Sequence, residues 1–104
     1  MDHSPKLKED LKKILGVNKV YYEPPTDVKL TYPCLKANRS RRDVKYASNK
    51  PYIKDESFTI YFITRDVKTA PAVLNQLEEL PYCTYDTEYI ADGLHHYVYK
   101  ITYI

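Results

Sequence analysis

At 104 residues, with 43% hydrophobic and 29% charged side chains, the chain has room for one core rather than two, and no apolar run approaches the ~18 residues of a membrane-spanning helix. The net charge of +2 is too small for a general polyanion binder, but it is unevenly spread. Residues 36–54 hold Lys36, Arg39, Arg41, Arg42, Lys45, Lys50 and Lys54 against Asp43 alone, a net +6 that leaves −4 for the rest.

Ser4-Pro5 is a helix start, since serine caps free amides and proline suits the first helical position. Leu7, Leu11, Ile14 and Leu15 then form an apolar stripe, and Gly16 supplies the left-handed turn that ends a helix over residues 5–15. Val17 to Glu23 reads as a short strand stopped by Pro24 and Pro25, and Leu30 to Ala37 as a second, with Pro33 at an edge or a strand start. Residues 38–56 follow as a long, basic, arm-like loop. SFTIYFIT is the central strand, alternating Phe58, Ile60 and Phe62 with Thr59, Tyr61 and Ile63.

Thr69 is the expected cap of a second helix that tolerates Pro71, packs through Val73, Leu74, Leu77 and Leu80, and stops at Pro81. Cys83 to Ile90 alternates as a strand, Ala91-Asp92-Gly93 is a hairpin turn, and His95 to Ile104 returns with Tyr97, Tyr99, Ile101 and Tyr103 on its apolar face. The order α-β-β-β-α-β-β predicts a single α+β domain over residues 1–104, a mainly antiparallel sheet of four or five strands covered by two helices.

Catalytic signatures are sparse. The only glycines, Gly16 and Gly93, sit at a helix stop and a turn, so no phosphate loop is present. His95 and His96 are adjacent on a strand and point to opposite faces, which suits no shared metal, and neither cofactor nor catalytic residue is expected. Cys34 and Cys83 belong to no paired motif and read as core thiols; a Cys-His nucleophile with His95 has no motif behind it. The twelve tyrosines suit both a sheet and a surface half covered by another protein. The binding candidates are therefore the cations and rings of the arm, Arg39, Arg41, Arg42, Lys45, Tyr46, Lys50, Tyr52 and Lys54, whose mixture fits either a protein surface or a phosphate backbone.

The segments KLKEDLKKILG, VYYEPPTDVKLTYPC, DVKYASNKPY, FTIYFITRD, LPYC and IADGLHHYVYKITYI together resemble a family of small structural proteins of tailed phages and prophages, placed with the tail-completion or tail-terminator (neck) proteins. The resemblance covers nearly the whole chain and brings no catalytic motif. It implies a virion protein, made in the host cytoplasm, whose copies form a hexameric ring on the head-proximal end of the tail tube. The ring would stop tube polymerisation and meet the head connector, with DNA passing through its lumen without specific binding and no membrane involved. LKANRS is more polar than the matching stretch of that family. A head-closure component of the neck, or a small nucleic-acid-binding accessory protein, are the alternative expectations.

Overall fold

The computed structural model describes residues 4–17, 19–25, 27–47 and 50–103, with the side chains of 40–47 and 50–55 outside the description. The chain is an α+β fold with elements α1 (Ser4–Lys12), β1 (Lys19–Tyr22), β2 (Cys34–Ala47), β3 (Lys50–Thr64), α2 (Ala70–Glu78), β4 (Cys83–Ala91) and β5 (Leu94–Tyr103). A mixed five-stranded sheet runs in the order β1-β2-β3-β5-β4. Only the β1–β2 pair is parallel, in the register Val20↔Leu35; the β2–β3, β3–β5 and β4–β5 pairs are antiparallel. The period-two faces predicted for β3 and β5 are the observed ones. Phe58, Ile60 and Phe62 join Tyr97, Tyr99 and Ile101 in a core closed by Leu7, Leu11 and Ile14 from the α1 segment and by Ala70, Val73 and Leu77 from α2. The opposite face holds a smaller apolar cluster of Cys34, Ile63 and Leu94.

Three local expectations are corrected. α1 stops at Lys12, followed by tight bonds from Lys13 N to Asp10 O and from Ile14 N to Leu11 O, which carries Leu15 out of the apolar stripe and leaves it exposed. Gly16 does take the left-handed conformation, at φ +96°, where any side chain would be strained. β2 begins at Cys34 instead of Leu30, directly after Pro33, which has no N–H to give a ladder. Thr69 precedes α2, but its hydroxyl donates to Asp66 O and makes no cap, while Pro71 occupies the first turn as expected. Asp92 and Gly93 both have positive φ, the signature of a type I′ hairpin, closed by the Ala91↔Leu94 pair.

The largest departure concerns residues 38–56. Their described backbone is a continuation of the β2–β3 ladder, from Asn38↔Thr59 through Arg42↔Glu56 to Ala47↔Lys50, with register shifts at Arg39/Arg41 and Lys45/Tyr46. Val44, Tyr46, Tyr52 and Ile53 interleave with the cations and supply strand formers that the charge density hides in the sequence. β1 leaves the ladder at Tyr22↔Ala37 and β5 at Glu56↔Tyr103, so the remainder runs on as a two-stranded ribbon. Five more pairs at ~3.3 Å per residue add about 17 Å, which accounts for much of the 51 × 31 × 23 Å shape.

Candidate assembly interface

The ribbon grows out of a root that is tightly tied to the core. Period two places Glu56 on the same face as Phe58, and its carboxylate is fully buried. Arg39 answers it, with Nη2 at 3.3 Å from Glu56 Oε2 and the guanidinium carbon 6.0 Å from the Phe58 ring centre. The backbone N–H of Arg39 donates to Glu23 Oε1 at 3.0 Å, so the chain just after β1 holds the ribbon where the strand pairing ends. Phe58 in turn packs edge-on against Tyr103 at 5.9 Å, and the Tyr103 hydroxyl donates to Asp10 Oδ2 of α1 at 2.8 Å. On the opposite side of β3, the hydroxyls of Ser57 and Thr102 lie 3.0 Å apart.

Of the residues singled out from sequence, Arg39 is thus engaged within the chain. Arg41, Arg42, Lys45, Tyr46, Lys50 and Lys54 lie in the ladder opposite Ser57, Glu56, Ile53, Pro51, Ala47 and Val44, and Tyr52 stands on the same strand between Pro51 and Ile53. Their side-chain contacts lie outside the described residues. The sequence reading missed Glu23 and Glu56 as anchors of the arm. A usable signal existed for Glu56, because the Phe58-Ile60-Phe62 alternation extended back by one step puts a carboxylate on the core face.

The sheet face away from the helices carries rings beside cations. Lys36 Nζ stands 5.4 Å from the centre of Tyr61, Lys19 Nζ 5.6 Å from Tyr21, and Tyr89 stacks on His96 with centroids 4.6 Å apart. The Lys36–Tyr61 and Tyr89–His96 contacts tie adjacent strands together, Lys19–Tyr21 lies within β1, and the two cation–ring contacts contribute modestly where exposed, roughly 0.5–1 kcal/mol each. Burial pushes both cysteine thiols up to about 11, Cys34 with Lys36 partly opposing the shift and Cys83 with Glu78 adding to it, so neither is a thiolate at neutral pH. An open cleft of about 500 Å³ is lined by Val67, Glu88, Tyr89, Ile90, His95 and Tyr97, and neither cysteine is among those residues. Among the described residues no helix is long and apolar enough to cross a membrane. No protein-family profile and no curated protein matches the chain.

Proposed function

We propose that this chain is a non-catalytic virion assembly protein, a tail-terminator or tail-completion protein whose copies close into a ring, a hexamer, on the head-proximal end of a phage tail tube. There it ends tube polymerisation and joins the tail to the head connector, with DNA passing through the lumen. The observation that carries the reading is the ribbon, a ladder that leaves the sheet after Glu56↔Tyr103 and holds Lys45, Lys50 and Lys54 against Asp43 and Asp55, with Arg41 and Arg42 at its base. A closed ring uses a heterologous contact, one patch on each subunit meeting a different patch on the next, and a charged ribbon anchored at its root suits such a reach. The resemblance of the sequence to neck proteins supplies the biological setting, and a head-closure component is the sibling within it.

Electron microscopy of particles with and without the protein tests the assignment. Density at the neck that disappears with the protein, together with tails of irregular length, is the expected result; normal tails without it refute the terminator role. Arg41→Glu with Arg42→Glu is expected to give folded protein that fails to cap tubes. The second reading, a nucleic-acid-binding accessory protein, draws on the same cations and on the Lys36–Tyr61 pairing of the open sheet face. Shift assays over a salt series separate the two, since phosphate contacts weaken steeply with salt.

A further inference from the structure

The basic ribbon has a counterpart elsewhere on the chain. Residues 70–99 contain no lysine or arginine and hold Glu78, Glu79, Asp86, Glu88 and Asp92. Those residues span α2, β4, the turn after it and the first part of β5, and β4 is an outermost strand of the sheet. The other outer strand, β1, is four residues long, whereas β4 is nine residues long and exposed along nearly its whole length. Bare edges of this length are commonly guarded by lysine or proline. β4 has neither, and its guard is the bulge between Tyr85 and Thr87.

Four of the seven large hydrophobic side chains exposed among the described residues lie on this edge or at its start: Tyr82 at 72%, Tyr85, Tyr89 and Ile90 at 66%. Exposed rings beside an open strand edge are what a protein contact looks like before its partner arrives. The acidic side chains select a basic partner, and the open edge selects an extended one.

We propose that the occupant is the ribbon of a second copy of this chain, so that the α2–β4 edge is the receiving half of the ring contact and the β2–β3 ribbon beyond Arg39 the reaching half. Within one copy the two cannot meet edge to edge. β5 separates β3 from β4, and β3 and β5 separate β2 from β4, so neither edge of the ribbon adjoins β4; at ~4.8 Å per strand the free edges of β2 and β4 lie about 14 Å apart and face opposite ways. The contact is therefore head to tail, the heterologous kind that closes into a ring. Opposite charge steers the encounter, and the exposed rings bury apolar area once docked. This inference rests on the ring reading above and assigns the surface that reading leaves open.

Charge exchange tests it with the purified chain. An equal mixture of isotope-labelled and unlabelled wild type, treated with carbodiimide and read by mass spectrometry, should give intermolecular links from Lys45, Lys50 or Lys54 to Asp86 or Glu88. A ribbon variant (Arg41→Glu, Arg42→Glu) and an edge variant (Asp86→Lys, Glu88→Lys) should each lose about tenfold of the links made between these two segments, equivalent to about 1.4 kcal/mol. An equal mixture of the two variants should regain them, and a single chain carrying all four substitutions should instead form the reversed links, between the new lysines at 86 and 88 and the new carboxylates at 41 and 42. Because Glu88 accepts a hydrogen bond from the Tyr85 hydroxyl, a second edge variant, Glu79→Lys with Asp86→Lys, keeps the test valid if the first misfolds. Absence of the wild-type links up to millimolar protein, undiminished links in both edge variants, or failure of the mixture to recover each overturns the contact. Tails capped normally by the edge variants would also overturn it, whereas normal tails without any of the protein refute the terminator role and leave the contact standing.

Discussion

Removing the guanidinium of Arg39 should destabilise the whole domain, although the residue lies at the start of the basic segment. In Arg39→Ala, Glu56 keeps a carboxylate of which 1% of the side chain is exposed, with its cation at 3.3 Å gone. Coulomb attraction at that distance is about 5 kcal/mol with an effective dielectric near 20, and much of it offsets the cost of burying the charge. Breaking a buried pair from one side costs about 3–5 kcal/mol. Because 34% of the Arg39 side chain is exposed, water screens the pair, and the lower value of about 3 kcal/mol applies. At ~4–8 °C per kcal/mol, the melting temperature should fall by roughly 12–24 °C. Glu56→Gln in the Arg39→Ala background removes the buried charge and should return more than half of the loss. Calorimetry of the wild type, both single variants and the double variant measures this as a coupling energy. A melting temperature for Arg39→Ala within about 2 °C of wild type, or no recovery in the double variant, would show that the pair is an ordinary surface contact.

The link between α1 and α2 offers a second check. Gln76 Oε1 accepts from Leu15 N at 2.8 Å and its Nε2 donates to Leu15 O at 2.9 Å, so Gln76→Ala should cost about 1 kcal/mol, read as a lower urea midpoint with an unchanged slope. Gly16→Ala should cost about 1–2 kcal/mol, since it strains a residue at φ +96° and brings a Cβ to 3.1 Å from Val73 Cγ2. Burial first, and then hydrogen bonds to Glu78 and Asp10, raise Tyr99 and Tyr103 well above the usual tyrosine range. The folded chain therefore holds protons that the unfolded chain releases near pH 10. This stabilisation is complete below about pH 10 and is lost as pH rises towards the folded values, so the melting temperature should drop above pH 10 and drop less in Tyr99→Phe. Cys34, which is buried, should react slowly with a thiol reagent at pH 8 in the native state and fast in guanidinium, while the half-buried Cys83 should be slowed less; fast native reaction of Cys34 would refute its burial.

The elements with strict periods were legible in the sequence, because burial of one face leaves a mark that tertiary packing does not override. The Phe58-Ile60-Phe62 and Tyr97-Tyr99-Ile101 faces are the core that their alternation predicts. Boundaries were harder, since they depend on single hydrogen bonds. Nothing in KKILG says that the helix ends at Lys12, and the Thr69 hydroxyl had a competing acceptor in Asp66 O. The arm was misread for a different reason. A ribbon paired only with itself is under no demand from the core to alternate apolar and polar residues, so Arg41, Arg42 and Lys45 conceal the distal half of the 14-residue β2. Likewise, the parallel β1–β2 pair is fixed by contacts between segments that no local pattern encodes.

The division of labour in the ribbon follows from where its third strand ends. Up to Glu56↔Tyr103 each added pair is flanked by another strand and by the Phe58–Tyr103 packing, and it contributes to the stability of the single copy. Beyond that point only two strands remain, and a two-stranded ladder alone is marginal in water. Its residues need not satisfy the core and are therefore able to carry charge at a density that the core would reject. The Arg39–Glu56 pair stands at this boundary and fixes the direction in which the ribbon leaves. If a neighbouring β4 edge supplies the missing strand, stability of the distal ribbon becomes a function of protein concentration, while the core melts independently of it. Hydrogen exchange at two concentrations should then slow for amides in residues 43–54 and stay constant for those of β5. Equal protection of the ribbon at both concentrations would mean that the ribbon is held by its own chain and is no part of a contact between copies.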